Sequence, residues 1–512
     1  MSTHAGAEQP GAAPGRVTSG PDRAAGTGVL LAACVSALVV NANTSAVTIL
    51  LPAISDDTHT PVAQLQWAVT GYSLVGAAVI VTSGALGDVF GRRKIFLGGL
   101  ILFVASCVFI ALSQKGAGVV AGRFIQGAAG STILACGMSL LSVSASGKGQ
   151  MRAVTIWGAA SAAGGALGPL LGGVFVATTG WQGLFWVDAG IAALCIPLTL
   201  RKVQESSDPN ASRQIDYVGS ILVAAILAPL VLALSKGNDW GWGSATTLIC
   251  FAISIVSLFA FVAVEKRVKA PLVDLQLLRN RVLVGATIAI FIVAGTINGL
   301  MYVLSLYFQD PSALGMSALQ AGLATLPAAA GMIVITPFIT PLAARIGGGV
   351  VVGIGFGLAT IGFGALIFIT ESWNYAAFVL PLVVLAVGLG FANGPASSGS
   401  TAAVAPEQVG QASGISNMAR YVGGSVAVAA VAMVYNAVIN NHRAAGASAS
   451  AALADGFASA ALLMTLLCAA GIALIVLMRR HRPRQPEAVD LAAAAAAPLH
   501  TIPTQPSPSR SS

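Results

Sequence analysis

The chain has 512 residues, of which 56% are apolar and only 9% charged; soluble domains carry about 25% charged residues, so a water-facing fold is excluded. Its 26 Lys and Arg against 18 Asp and Glu give a net charge of +8. These basic residues sit at the ends of apolar blocks and gather on no hydrophilic domain, which excludes a nucleic-acid-binding surface. The blocks do not alternate polar and apolar residues, which excludes a β-barrel.

The chain opens on a polar, Gly-, Pro- and Ala-rich tail, 1–27, without the apolar core of a cleaved signal peptide, so the first span is expected to serve as an uncleaved insertion signal. Fourteen apolar blocks follow, each near or above the roughly 20 residues that cross a bilayer as a helix. They fall at 28–52, 65–87, 95–113, 117–143, 153–177, 183–200, 217–235, 244–264, 283–308, 319–343, 348–370, 375–399, 410–437 and 455–478. The expected fold is an all-α membrane protein with fourteen transmembrane helices. The tail 479–512, rich in Pro, Ala and Ser, is expected to be disordered.

Basic residues set the orientation. Arg92, Arg93 and Lys94 follow the second block; Lys148 and Arg152 the fourth; Arg201, Lys202 and Arg213 the sixth; Lys266, Arg267, Lys269, Arg279 and Arg281 the eighth; Arg345 the tenth; Arg479, Arg480, Arg482 and Arg484 the last. The alternate links hold only Lys115, Lys236 and Arg443. By the positive-inside rule both termini are cytoplasmic and the protein is a multi-pass protein of the cytoplasmic (inner) membrane.

A short internal repeat joins the link after the second block, Gly84 to Lys94, to the link after the tenth, Pro341 to Gly347. Leu86…Gly91 and Leu342…Gly347 keep one spacing, with Ala344 where Asp88 stands. Transporters built from repeats show such related links, although chance similarity in Gly-rich links produces the same match. The repeat divides the chain into a six-helix half, 28–200, a linking segment with two extra helices, 201–282, and a second six-helix half, 283–478.

The six cysteines, Cys34, Cys107, Cys136, Cys195, Cys250 and Cys468, each stand alone in an apolar block, so no metal site is expected. The histidines, His4, His59, His442, His481 and His500, fall in tails or links, which excludes a histidine proton relay inside the membrane. Asp188, in the sixth span, is the one acid clearly inside a block. Two readings stand for it: a proton carrier, or a solvated acid two turns from the outer surface. Arg123, in the fourth span, has two readings as well: a buried functional cation, or a side chain snorkelling to the outer interface. Asp88 has Arg92, Arg93 and Lys94 close by, so it can pair with them or sit at the N-terminal end of a neighbouring helix; otherwise the loop is a plain topology signal. Gly164, Gly168, Gly172 and Gly173 in the fifth span admit close backbone approach, and Pro169 bends that helix. Uncharged polar residues in the spans, Asn41, Asn43, Gln126, Asn298, Tyr302, Asn393 and Asn417, are candidates to line a substrate cavity or to bond between helices. Arg420, near the start of the thirteenth span, is read as an interface anchor.

Three of these patterns resemble one family. Gly84-x-Leu86-x-Asp88-x-x-Gly91-Arg92-Arg93-Lys94 is similar to the cytoplasmic loop signature of the major facilitator superfamily, Arg123-x-x-Gln126-Gly127-Ala128 to its fourth-helix signature, and Gly164-x-x-x-Gly168-Pro169-x-x-Gly172-Gly173 to the fifth-helix signature of its antiporters. Gln66-Trp67, Asp216-x-x-Gly219 and Tyr307-x-Gln309 resemble its fourteen-helix drug/proton antiporter branch, the EmrB- and QacA-like exporters. The resemblance implies a major facilitator fold, a gating role for the Asp88 loop and a part for Arg123 in proton coupling. The chain departs from the family's pattern in four places. Val89 replaces a basic residue, Asn43 stands where the branch carries an Asp, and Thr48 and Asp188 stand where the family often carries Asn. An amide does not titrate, so Asn43 is left to bond substrate, and Asp188 with Arg123 are the expected coupling pair; the rival readings put the carrier at Asp88 or leave transport uncoupled.

The expected function is proton-driven export, by alternating access, of small hydrophobic or amphipathic compounds rather than obligate dications, with monovalent lipophilic cations left open. A narrower alternative is dedicated export of a native metabolite or siderophore. No Gly-x-x-x-x-Gly-Lys-Ser/Thr loop occurs, so ATP is not the direct energy source. An intramembrane enzyme would need clustered acids or histidines near one membrane face, and a sensor would need a soluble signalling domain; neither pattern occurs. The expected partners are a small-molecule substrate, protons and the lipid bilayer, with no cofactor and no nucleic acid, and the expected state is a monomer.

Overall fold

The computed structural model describes residues 25–145, 147–207, 216–268, 271–404 and 408–480. Most of the two expected tails lies outside the described residues, as do Arg213, Lys269, Arg482 and Arg484. Among the described residues there is no strand. Sixteen α-helices follow in order: α1 (Thr27–Thr58), α2 (Val62–Leu65), α3 (Trp67–Phe90), α4 (Arg92–Ala111), α5 (Gly116–Ser144), α6 (Gly147–Thr178), α7 (Gln182–Lys202), α8 (Tyr217–Trp240), α9 (Ala245–Glu265), α10 (Arg281–Gln309), α11 (Ala318–Ala324), α12 (Leu326–Ile346), α13 (Gly348–Leu366), α14 (Tyr375–Ala402), α15 (Val409–Ala444) and α16 (Ala449–Arg480). Among the described residues thirteen helices are long and apolar enough to cross a membrane. Leu194, Phe259, Phe368 and Leu380 lie largely exposed on the outside of the bundle, where only lipid makes such exposure favourable.

The blocks and helices differ where proline or a cap decides the boundary. α1 runs six residues beyond its expected end, through Pro52, because neighbouring helices accommodate the freed carbonyl. The tenth block is broken in two. Ser317 and Gln320 form a capping box that starts α11, and the chain turns at Thr325, whose hydroxyl bonds Gly322 O at 2.8 Å, before α12 restarts with Pro327 in its first turn. Proline is tolerated there because a first-turn N–H has no intrahelical partner. α16 begins at Ala449, so Asp455 lies inside a helix after all, and His442 lies in the last turn of α15 rather than in a link. The two pair at 2.7 Å and both are about half exposed, which leaves them at the water-facing end.

Packing repeats along the chain. In the first bundle α1 packs on α6, α3 and α4 on α5, and α4 on α7; in the second α10 packs on α15, α12 and α13 on α14, and α13 on α16. Between them α8 and α9 pack on each other, and α8 lies against α3 and α15. The repeated link is visible in the backbone too. Gly91 and Gly347 end α3 and α12 with φ of 111° and 89°, a region that glycine alone enters without strain.

One end of the molecule carries the basic links: the start of α1 lies against Lys202, Arg92 N donates to Ser206 O at 2.9 Å, and Asn280 caps α10 while bonding Ala403 O. At the opposite end the two bundles touch. Ser305 Oγ donates to Thr48 O at 2.5 Å and Gln309 Nε2 to Ile49 O at 3.1 Å. The backbones of α6 and α11 meet at Pro169–Gly173 and Ala318–Gly322.

Candidate functional site

Five helices of the first bundle converge on Arg123. The residue is two turns into α5 and fully buried, so snorkelling does not describe it. A guanidinium sealed from water needs acceptors on all sides. Nε donates to Ala68 O on α3 at 2.8 Å, Nη1 donates to Asn43 Oδ1 on α1 at 2.6 Å and to Gln126 one turn on, and the Tyr72 ring face lies 4.3 Å away. Gln126 passes the bonding on, donating to Cys107 Sγ of α4 at 3.0 Å. One nitrogen, Nη2, is sealed without a partner among the described residues.

Asp188 enters through Asn43. The Asn43 amide nitrogen donates to Asp188 Oδ2 on α7 at 2.7 Å while its oxygen accepts from Arg123. An amide can face a cation and a carboxylate at once, since it offers an acceptor at one end and a donor at the other. Asp188 is only 4% exposed, so it is not a solvated acid here. Asp188 and Arg123, the expected coupling pair, are linked through a three-residue chain from α7 through α1 to α5. Asn43 and Gln126, expected in a substrate cavity, are fully buried in this chain, because the sealed cation claims their oxygens. Tyr302 is buried in the apolar core instead.

The other polar candidates lie apart. Asn41, Asn298 and Asn417 are half-buried, and each amide nitrogen bonds the carbonyl one turn back at 2.8–3.0 Å. Asn298 also lies beside Gly424 and Ser73, at the seam of the two bundles. Asn393 is half-buried and accepts from Arg420 Nη1 at 3.0 Å. Polar groups exposed within apolar spans are disfavoured against lipid, and each of these four has a hydrogen-bond partner inside its own bundle.

The loop between α3 and α4 is tied within its own bundle. Asp88 pairs with Arg92 at 2.8 Å, one turn on in sequence, and is 37% exposed. Arg93 bonds Glu205 through its backbone N–H at 3.0 Å and Val203 O through its side chain at 3.1 Å. Gly91 also faces Glu205, and nothing lies within 4 Å of a Cβ placed on Gly84. The glycines of α6 have a double role. A Cβ would fall 2.2 Å from Leu38 O at Gly164, 2.4 Å from Ala42 O at Gly168 and 3.0 Å from Ala46 O at Gly172, all on α1. Only Gly173, 2.5 Å from Ala318 O by the same measure, and Pro169, whose carbonyl faces Gly322, meet the other bundle.

Sequence reasoning missed three partners: Tyr72, Cys107 and Glu205. It also missed Gly423 on α15, whose Cβ would fall 2.3 Å from Phe291 O on α10, as that of Gly164 does from Leu38 O. The Gly423-Gly424 pair in the thirteenth block was the available signal.

Known proteins share this arrangement of helices. The sequence profile of the Major Facilitator Superfamily matches residues 33–428. The chain belongs to this superfamily. It is 31% identical over 413 residues to the cephamycin export protein of Amycolatopsis lactamdurans, covering 80% of this chain and 85% of that one. It is 32% identical over 420 residues to the tetracenomycin C resistance and export protein of Streptomyces glaucescens, covering 79% and 75%. An auto-inhibited peptide transporter of the POT family, solved as a crystal structure, matches with a TM-score of 0.64 at 14% identity, over 91% of this chain and 98% of that one; this likeness speaks to the fold. A major facilitator of this kind is a multi-pass membrane transporter and not an enzyme. Within the major facilitator fold, the buried Asp188–Asn43–Arg123 chain belongs to the first bundle, and Asn298 lies at the seam.

Proposed function

We propose that this major facilitator is a proton-driven exporter of small hydrophobic or amphipathic compounds, including drugs and antibiotics, working by alternating access. Export rests on the relatives, which are named as export and resistance proteins for antibiotics. Coupling rests on one observation: a carboxyl, Asp188, and a permanent cation, Arg123, are sealed inside one bundle and joined through Asn43. A proton from the outer side adds to an Asp188 carboxylate oxygen and removes the negative charge that balances Arg123. The guanidinium, left as an uncompensated buried cation, then favours a different packing of α1 against α5 and α7. Release of the proton to the cytoplasm restores the chain.

In this reading α11 and α12 together make the tenth of fourteen crossings, the halves span 28–200 and 283–478, the pair within 201–282 is inserted between them, and the protein acts as a monomer. The basic end faces the cytoplasm of the inner membrane, and the structure corresponds to a state closed at the outer end. The Asp88 loop gates that end's counterpart on the cytoplasmic side, and Asn41, Asn298, Asn393 and Asn417 face the substrate. Dedicated export of one native metabolite or siderophore is the narrower form of the same reading; one relative is named as a cephamycin export protein. The test is substrate-dependent proton movement in proteoliposomes of the purified protein. Alkalinisation or acidification of the lumen that tracks added substrate is the expected result, and transport with no proton movement removes the coupling.

A further inference from the structure

The second bundle also keeps a cation inside a span. Arg420 is the twelfth residue of α15, Val409–Ala444, and at 1.5 Å per residue it lies roughly 17 Å from the start of that helix. Its guanidinium turns toward α14, where Nη1 donates to Asn393 Oδ1 and Nη2 to Ser397 Oγ, each at 3.0 Å. Both acceptors are neutral, and among the described residues no carboxylate pairs with Arg420. A charge at this depth without a counter-charge is unfavourable and marks a working group.

Arg420 differs from Arg123 in its access. It is half-buried rather than sealed, and none of its nitrogens is both buried and unpartnered, whereas Nη2 of Arg123 is. A guanidinium offers five N–H donors in a planar fork, and Asn393 and Ser397 take two of them. Asn393 and Ser397 are half-buried neutral groups that orient the fork without neutralising it. Three residues on, Gly423 holds α15 against α10 as Gly164 holds α6 against α1. By that register Arg420 occupies the place that Ser161 has in the first bundle, so this charge belongs to one bundle only.

We propose that Arg420 anchors an anionic group, a carboxylate by preference, on the transported compound, so that this exporter favours amphipathic monoanions over neutral compounds of the same shape. A carboxylate accepts from two N–H groups of the fork in parallel, a geometry that a neutral oxygen does not match. The proposal rests on the export reading and sharpens its substrate class.

The test uses the full chain in phosphatidylcholine nanodiscs, where no anionic headgroup competes, with pyrenebutyrate and the neutral pyrenebutanol as fluorescent probes. Wild type is expected to bind the acid about tenfold or more tightly than the alcohol, the scale set by a partly desolvated charge pair. Arg420→Gln should abolish that preference by weakening acid binding to the level of the alcohol, and Arg420→Lys should keep part of it. Equal affinities in wild type, or a preference that survives Arg420→Gln, overturn the anchor. Should Arg420→Gln fail to fold, the wild-type ratio and its size in Arg420→Lys still decide. Failure of the export reading is distinguished separately: acid preference in nanodiscs together with no uphill export from proteoliposomes keeps the anchor and removes the exporter.

Discussion

The two arginines held within the bundles, Arg123 and Arg420, occupy one fold in opposite ways. Arg123 is sealed and surrounded by a carbonyl, two amide oxygens and a ring face, with a carboxylate one residue further along the chain of bonds. Arg420 is half-buried, has two neutral partners, and faces no carboxylate among the described residues. Their bundles share their backbone packing down to the glycine contacts Gly164–Leu38 and Gly423–Phe291. The repeat therefore fixes where helices approach, and the side chains decide which bundle hides a charge and which presents one. A cation that is fully enclosed must carry its own counter-charge with it; one that meets water can leave donors for cargo.

The largest effect is expected where the enclosure is broken. Arg123→Ala removes one partner of a buried charged chain, which should lower stability by about 3–5 kcal/mol and end proton-driven accumulation. Arg420→Ala should lower stability by less, about 1.5–3 kcal/mol, the scale of hydrogen bonds from a charged donor to neutral oxygens. Thermal unfolding of both variants in detergent checks this, and equal losses would erase the distinction between the two sites.

A middle effect is expected at the seam. Gly173→Ala places a methyl group 2.5 Å from Ala318 O, so α11 must move away and the outer end should open. Gly165→Ala, eight residues earlier on the same helix, meets nothing within 4 Å and serves as the control. Labelling of a cysteine placed in the α1–α10 contact should rise in the first variant and not in the second. The smallest effect is expected at Asp88. Its one ion pair is one helical turn away and partly exposed, so Asp88→Asn should change stability by no more than about 0.5 kcal/mol while still slowing transport; normal efflux from equal amounts of protein would reduce the loop to a topology signal.

The spans were legible because each apolar block exceeds what a bilayer needs, and the start of α5 at Gly116 and of α14 at Tyr375 fell within a residue of expectation. Breaks at proline were less so: Pro52 read as an end but lies inside α1, and the turn at Thr325 was hidden inside one apolar run. Of the site, the pairing of Arg123 with Gln126 follows from three-residue spacing on a helix. The chain to Asp188 does not, because 145 residues separate Asn43 from it. Composition also fails to say which face of a span meets a neighbour. Asn41 and Asn43 are two residues apart, about 200° around the helix, so one is half-buried and bonds only its own helix while the other is enclosed with Arg123.

The most direct test of the central claim exchanges the two ends of the Asn43–Asp188 bond. Uphill efflux and the accompanying proton movement would be measured in proteoliposomes of Asn43→Asp, of Asp188→Asn and of the double exchange. Asp188→Asn leaves no acid in the chain, and Asn43→Asp sets two carboxyls against each other. Both single variants should lose uphill export, Asp188→Asn while retaining downhill movement of substrate. The double exchange keeps one acid, one amide and Arg123 in contact, and should regain uphill export. Full proton-driven accumulation by Asp188→Asn alone would contradict the account.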